Sequence, residues 1–340
     1  MRHKVFVYHG GALGDLLLSL PAIKTMKKAD DFVHLAGHPD AADFLMKAGF
    51  IHEKSDVNSR LLLSLFTDKS EDGIIDFLQG FDRVCVFTSN RHSLLSENIL
   101  AIFPHAEIIQ TIPPEGLKMH VSDFRKGQLG GKGILDQQIC RPLMFLDIPP
   151  IYKDKARNML VSYGYDFNRP IAAIHTGSGS IRKNWPLERF AGVIERMQKE
   201  KDYFFMLFSG PAENEEMKKE IEYLAARLGK QCIYIPDLEL MMIAALLNLC
   251  GIYLGNDSGF THLASLFAEN TIAVFGPTDP VLWSPVNKRS IVISSDAECS
   301  PCGQIYKGGV SDKSSRECDS RCLSDISVQR VFEEIMRTGA

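Results

Sequence analysis

The spacing of apolar residues alternates between two periods over the first 110 residues. Continuous runs of β-branched and aromatic residues predict strands, and apolar residues three or four positions apart predict helices between them. We expect strands at 4–8, 32–36, 82–88 and 106–110, and helices at 16–28, 40–48 and about 71–78. This alternation is typical of a parallel sheet that helices cover on both faces.

The alternation stops between residues 111 and 165 and then starts again. Paired prolines at 113–114 and 149–150 and a glycine-rich stretch at 127–133 interrupt it, and a helix is expected near 153–163. The later strands are expected at 170–175, 203–209, 231–235, 252–254 and 271–275, and the helices at 186–200, 212–228, 238–250 and 259–268. The sequence therefore predicts two doubly wound, Rossmann-like α/β domains, residues 1–165 and 166–323. An amphipathic helix follows within residues 324–340.

Composition narrows the class of protein. The chain has 340 residues, 45% of them hydrophobic, and a formal net charge of −4. The hydrophobic content is too high for a disordered chain. The slightly negative net charge gives no positive surface potential that would attract a nucleic acid. No apolar run reaches the roughly 18 residues of a membrane span, and the N-terminus lacks the arrangement of a signal peptide. We therefore expect a cytoplasmic protein without a transmembrane segment.

A glycine turn, Gly10-Gly11-x-x-Gly14-Asp15, joins the first predicted strand to the first helix. Glycines in this position allow backbone N–H groups to approach a phosphate or a sugar. Asp15 would lie at the carboxyl end of the sheet, where such folds bind ligands, facing a cleft between the domains. An NAD-binding turn is the alternative. It requires an acidic residue about 20 positions later, whereas the second strand ends in Ala36-Gly37-His38.

Two later motifs also follow a strand and precede a helix. The first, His175-Thr176-Gly177-Ser178-Gly179-Ser180, is followed by Arg182 and Lys183 and predicts an anion site. A capped surface loop is its alternative. The second, Gly255-Asn256-Asp257-Ser258-Gly259-Phe260-Thr261-His262, places a helix N-terminus where it can bind a diphosphate. For His262, a structural role competes with ligand binding.

Together with Phe275-Gly276-Pro277-Thr278-Asp279-Pro280, these motifs resemble glycosyltransferase family 9, the heptosyltransferases of lipopolysaccharide assembly. The resemblance covers nearly the whole chain. It implies a GT-B fold, with an N-terminal acceptor domain and a C-terminal donor domain facing across a cleft. It also implies inverting transfer of heptose from ADP-L-glycero-D-manno-heptose to the inner core on lipid A. Because no acidic pair is placed for an essential metal, no cofactor is expected.

The resemblance also implies site residues. Asp15 matches the catalytic base, and Lys183 matches a lysine on the donor phosphates. Glu213 lies near the position that holds the ribose hydroxyls, with Glu215 as an alternative, and residues 240–241 lie where adenine binds. The implied donor contacts are Gly11, Thr176, Ser178, Glu213, Leu240, Met241, Asp257, Ser258, Gly259, Thr261 and His262. Thr176 departs from the proline of many relatives but keeps a hydroxyl.

The acceptor would be an anionic glycolipid, so basic side chains are expected on the N-terminal side of the cleft. The candidates are Arg60, Arg91, Lys118, His120, Arg125 and Lys126, each with a solvated surface role as the alternative. Such a substrate implies peripheral contact with the inner membrane. The sequence itself gives no sign of this contact in the form of a basic amphipathic helix.

Four late cysteines, Cys299, Cys302, Cys318 and Cys322, have the spacing C-x2-C-x15-C-x3-C, which is close to that of a structural zinc site. Free thiols or a local disulfide are the alternatives. The helix after these cysteines would cross back onto the N-terminal domain in a GT-B fold.

Three other functions compete with ADP-heptose transfer. One is a family 9 enzyme with another nucleotide sugar or acceptor, since no motif fixes the sugar. A second is a non-catalytic nucleotide-sugar-binding protein, against which Asp15 and Lys183 argue. A third is a GT-B-like epimerase, which would need a different acid–base set.

Overall fold

The computed structural model describes residues 3–68, 71–129, 146–287, 289–302 and 321–339. The chain divides into two compact units, Met1–Pro149 and Pro150–Ala340. Each unit has a parallel sheet, and each strand predicted from the sequence is present. In the described parts of the chain, no helix combines the length and hydropathy needed to cross a bilayer.

The first unit is built on a five-stranded sheet of order β3-β2-β1-β4-β5. Its strands are β1 (Lys4–His9), β2 (Phe32–Gly37), β3 (Glu53–Asp56), β4 (Arg83–Thr88) and β5 (Glu107–Gln110). Its helices are α1 (Leu13–Met26), α2 (Pro39–Lys47), α3 (Arg60–Leu63), α4 (Asp72–Gln79), α5 (Leu94–Ile102) and α6 (Val121–Gly127). The strand β1 pairs with both β2 and β4 and is buried after its first residue, as its continuous apolar run predicts.

The second unit is built on a six-stranded sheet of order β11-β10-β9-β6-β7-β8. Its strands are β6 (Ile171–His175), β7 (Phe204–Ser209), β8 (Cys232–Pro236), β9 (Ile252–Asn256), β10 (Asn270–Phe275) and β11 (Ser290–Ser294). Its helices are α7 (Pro150–Ser162), α8 (Leu187–Glu200), α9 (Glu215–Leu228), α10 (Leu240–Leu247), α11 (Gly259–Phe267), α12 (Pro280–Trp283), α13 (Arg321–Ser324) and α14 (Val328–Arg337). Since β6 and β9 are neighbours, the loops that follow them start side by side.

The boundary between the units differs from the predicted one at residue 165. Helix α7 belongs to the second unit because it packs against α10. Its side chains Ala156 and Leu160 are fully buried. The paired prolines at 149–150, rather than the glycine at 164, therefore mark the start of the second unit.

The C-terminal helix also differs from its prediction. The sequence places it in residues 324–340 and expects it to return to the N-terminal domain. In the structure α14 packs against α8, and Val331 and Ile335 belong to the hydrophobic core of the second unit. Trp185 and Arg189 donate hydrogen bonds to the carbonyl of Ile326, just before this helix. The apolar face of α14 is therefore covered within its own unit.

Candidate active site

The first unit holds Asp15 where the glycine turn meets α1. The turn follows β1, and the Asp15 side chain, in the first turn of the helix, is 37% exposed. Its Oδ1 accepts a hydrogen bond of 3.0 Å from Nη2 of Arg125, whose side chain is fully buried. Oδ2 has no protein partner among the residues that the structure describes. One carboxylate oxygen is thus anchored, and the other is available to a ligand.

Arg125 is held at three further points. Its Nη1 donates to the carbonyl of Asp15 at 2.6 Å and to Ser19 Oγ at 2.9 Å, and its Nε donates to the carbonyl of Thr111 at 2.9 Å. A buried charge is retained in a fold when it is paired and hydrogen-bonded. The guanidinium therefore orients Asp15 from behind. This overturns the prediction that Arg125 contacts the acceptor, because its side chain cannot be reached from solvent.

His9 completes the buried network behind the turn. Gly11 donates its N–H to His9 Nδ1 at 3.3 Å, and His9 Nε2 lies 2.9 Å from Ser19 Oγ. Burial, reinforced by the charge of Arg125, lowers the pKa of His9 to about 3, so the ring is neutral at pH 7. The N–H of Gly11 is used inside the protein, which argues against its predicted contact with the donor.

The other acceptor candidates differ in exposure. Arg91 and Lys118 are exposed, and Arg60 is exposed while it pairs with Glu71 at 2.8 Å. His120 is buried, and its Nδ1 accepts the N–H of Ser122 as the cap of α6. His120 therefore serves the helix start, and its contact with the acceptor stays a prediction that its burial argues against.

In the second unit, the loops after β6 and β9 converge on Asp257. Its Oδ2 accepts hydrogen bonds from Lys183 Nζ at 2.8 Å and from Thr278 Oγ1 at 2.7 Å. The Lys183 side chain is 21% exposed, whereas Asp257 is almost fully buried. A lysine at the surface of the site, backed by a buried carboxylate, is suited to bind an anion. Thr278 belongs to the last of the sequence motifs, but the sequence does not predict it as a site residue.

The start of α11 is capped from within the motif. Ser258 is its N-cap residue and accepts the N–H of Thr261 at 3.2 Å. The Thr261 hydroxyl lies 3.0 Å from the hydroxyl of Tyr253 and also bonds to the carbonyl of Asn256. Thr261 and His262 are buried, and Gly259 begins the helix half-buried. Thr261 thus shapes the loop, because its hydroxyl is engaged by protein partners.

Comparisons with known proteins show what this chain is similar to. The family model described as "Glycosyltransferase family 9 (heptosyltransferase)" matches residues 150–307. A lipooligosaccharide heptosyltransferase 2 of Campylobacter jejuni is 20% identical over 97% of both chains. Among solved structures, a glycosyl transferase family 9 protein of Veillonella parvula is 19% identical with a TM-score of 0.77, covering 99% of this chain and 97% of its own. The E. coli ADP-heptose LPS heptosyltransferase II is 19% identical with a TM-score of 0.73, covering 98% of both chains.

The similarity to glycosyltransferase family 9 is carried by the second unit, where the family model matches residues 150–307. The similarity to heptosyltransferases indicates an enzyme that transfers a glycosyl group. The two Rossmann-like units confirm the predicted GT-B fold class.

The predicted ribose ligand of this glycosyltransferase lies deeper than expected. The Glu213 side chain is 1% exposed, and its Oε2 accepts the N–H of Gly210 at 2.6 Å. Its Oε1 lies 3.4 Å from Nε2 of His175. Burial raises the pKa of Glu213, but His175 and the backbone N–H groups outweigh this effect and lower the pKa below its ordinary value. Glu213 is therefore closed to a ligand in this conformation, whereas the alternative, Glu215, is exposed.

The remaining donor candidates of the glycosyltransferase are mixed in exposure. Leu240 is half-buried at the start of α10, whereas Met241 is 1% exposed and belongs to the core, which argues against its predicted contact with adenine. Thr176 and Ser178 are buried. Ser178 Oγ lies 2.6 Å from Asn184 Oδ1, so this hydroxyl stabilises its own loop.

Three of the four cysteines predicted to bind zinc lie within the described residues. Cys299 is exposed and Cys302 is half-buried, and both are free thiols, whereas Cys322 is buried. Cys318 lies outside the described residues. Within the described ranges no group of three metal-ligating side chains is assembled.

Proposed function

We propose that this chain is a family 9 glycosyltransferase that transfers heptose, with inversion, from ADP-L-glycero-D-manno-heptose to the inner core of lipopolysaccharide. Two observations support the donor. A heptosyltransferase resembles the chain over 97% of its length, and the solved E. coli relative is described by the donor ADP-heptose. The observation that carries the chemistry is the Asp15 carboxylate, which has one oxygen anchored by Arg125 and the other available.

Lys183 and the N-terminus of α11 would stabilise the leaving ADP. As the bond between the sugar C1 and the diphosphate oxygen breaks, negative charge develops on the diphosphate. Lys183 supplies a positive charge, and the start of α11 supplies backbone N–H groups and the positive end of the helix dipole. Since these groups compensate the charge, we propose that transfer requires no metal or other cofactor.

Asp15 would act as the general base. The acceptor hydroxyl gives its proton to Asp15 Oδ2, and its oxygen attacks C1 of the heptose from the face opposite the diphosphate. The C1–O bond to ADP then breaks, ADP keeps the bonding electron pair, and the configuration at C1 inverts. The acceptor is a lipid-linked anionic core, so we also propose a peripheral contact with the cytoplasmic side of the inner membrane.

Substitution of the base tests this assignment. Asp15→Ala should abolish transfer, while binding of ADP, measured by calorimetry, stays within about twofold of the unsubstituted enzyme, because no donor group is removed. Asp15→Asn is the matched variant, since its amide oxygen retains a partner for Arg125 Nη2 while the base is lost. Near-normal turnover in either variant would show that another group takes the proton.

A nucleotide panel tests the donor. ADP, UDP, GDP and NAD are compared by the rise in thermal unfolding temperature that each produces. ADP should give the largest rise if the donor is ADP-heptose. A preference for UDP or GDP would redirect the proposal to a family 9 enzyme with another nucleotide sugar. Binding of ADP without transfer from ADP-heptose to a core acceptor would favour a non-catalytic protein.

A further inference from the structure

A single buried amide joins the three segments that the proposed function assigns to the donor. Asn256 ends β9 and is 0% exposed. Its Nδ2 donates to the carbonyl of Thr176, in the loop after β6, at 2.7 Å. Its Oδ1 accepts the backbone N–H of Trp185, just after Lys183, at 2.9 Å. Both ends of the amide are therefore used, each by a different segment.

Asn256 joins all three segments, whereas other bonds join two of them at a time, such as that between Ser178 Oγ and Asn184 Oδ1 at 2.6 Å. Thr176 begins the loop that carries the small hydroxyl and glycine residues. Trp185 follows Lys183 by two positions, and its ring Nε1 is itself fixed to the carbonyl of Ile326 at 3.0 Å. Asp257 follows Asn256 directly and pairs with Lys183 at 2.8 Å. Through Asn256, the position of each segment therefore depends on the other two.

Asparagine is the side chain that this position requires. It must offer a donor to one backbone carbonyl and an acceptor to one backbone N–H, at the reach of a single methylene group. Aspartate has the same shape, but it would place a second oxygen against the Thr176 carbonyl. Glutamine is longer by one carbon in a site that is completely buried.

We propose that Asn256 is the positioning residue for the donor diphosphate: it holds the Thr176 loop, Lys183 and the start of α11 in the geometry that grips the phosphates. This inference rests on the proposed function only in assigning the diphosphate to these segments. Asn256 does not itself contact the donor. Its removal should weaken binding of the diphosphate without weakening binding of the nucleoside.

The test compares ADP with adenosine. In Asn256→Asp and Asn256→Ala, the affinity for ADP, measured by calorimetry, should fall about tenfold or more, because a buried hydrogen-bond partner is left unsatisfied. The affinity for adenosine should change less than about twofold. Asn270→Ala is the matched control, since Asn270 Nδ2 also donates to a backbone carbonyl, that of Gly251, at 3.0 Å in the same unit. This control should bind ADP normally.

Three results would overturn the inference: equal losses for ADP and adenosine, normal ADP affinity in both Asn256 variants, or the same ADP loss in Asn270→Ala.

If both Asn256 variants fail to fold, hydrogen exchange in the unsubstituted enzyme decides. The Trp185 amide should then be protected without ligand as well as the amides of β9 are, and rapid exchange would contradict the inference. If the nucleotide panel shows that UDP or GDP is the ligand, the same comparison is made with that diphosphate and its nucleoside. Failure of the donor assignment is thereby separated from failure of this inference.

Discussion

Asp15 and Arg125 form an ion pair of 3.0 Å in which the arginine is fully buried and the aspartate is about one-third exposed. The pair joins the first turn of α1 to α6, across 110 positions of sequence. The asymmetry in exposure separates the roles of the two residues. We therefore expect Asp15 to meet the substrate directly and Arg125 to act on it through Asp15.

Replacing Arg125 should therefore lower turnover rather than acceptor affinity. In Arg125→Lys the charge stays, but the fork that contacts both the carboxylate and the Asp15 carbonyl is lost. We expect kcat to fall by about ten- to a hundredfold, since a misplacement of about 1 Å costs that much, with the acceptor KM nearly unchanged. Steady-state kinetics with varied acceptor measures this.

The exposed candidate Arg91 provides the contrast. If Arg91 lies on the acceptor path, Arg91→Ala should raise the acceptor KM and leave kcat nearly unchanged, which is the opposite pattern. An Arg125→Lys enzyme with a normal kcat and a raised acceptor KM would restore the sequence-based assignment of this arginine.

His9 should make the first unit sensitive to acid. Its pKa is about 3 in the folded protein, against an ordinary value of 6.5, so the unfolded chain takes up the proton first as the pH falls. Its contribution to stability is complete above about pH 6.5 and is lost between pH 6.5 and pH 3. The loss is at most about 1.4 kcal/mol per pH unit. Urea unfolding at pH 7.5, 6.0 and 5.0 measures the slope.

His9→Gln should lower the stability at pH 7.5 but flatten this slope, because glutamine does not titrate. The exposed His105 gives the control: His105→Gln should keep the slope of the unsubstituted protein. If His9→Gln loses stability between pH 7.5 and 5.0 as steeply as the unsubstituted protein does, the acid sensitivity belongs to other groups.

The sequence predicts the elements better than it predicts the contacts behind the site. Buried strands such as β1 and β9 are continuous apolar runs, and polar residues directly after them fall at the ligand-binding edge of a parallel sheet. Two edge strands were missed. Glu53–Asp56 (β3) is entirely polar and does not differ from a loop in sequence, whereas Ser290–Ser294 (β11) contains the β-branched run 291–293, a strand signal that the predicted elements do not include.

The roles of Arg125 and Glu213 could not be predicted for a different reason. A basic residue in a helix and an acidic residue after a strand are both typically solvated, and the sequence contains no signal for burial. Their partners, Asp15 and His175, lie far away along the chain. For Asn256 a signal did exist, because an amide at the end of a buried strand must find hydrogen-bond partners.

The late cysteines remain a prediction of metal binding. If Cys299, Cys302, Cys318 and Cys322 hold zinc, the freshly purified enzyme should contain about one zinc per chain, and a chelator should remove it. Elemental mass spectrometry measures the content. Cys299→Ser should lower it, whereas replacement of Cys85, a buried thiol in β4, should not. Zinc far below one per chain in the untreated enzyme would favour free thiols.

Gly177 should tolerate no side chain, because Glu213 fills the space beside it. A Cβ at Gly177 would lie 1.5 Å from Glu213 Oε1, and the carboxylate is held by the N–H of Gly210. Either the loop or the carboxylate must therefore move in Gly177→Ala. We expect a loss of stability of about 1–3 kcal/mol and at least a tenfold loss of ADP affinity.

The same loop supplies the control, since a Cβ at Gly179 meets nothing within 4 Å. Gly179→Ala should thus bind ADP nearly normally. Equal ADP affinities in the two variants would mean that the packing of Glu213 against Gly177 does not shape the donor loop.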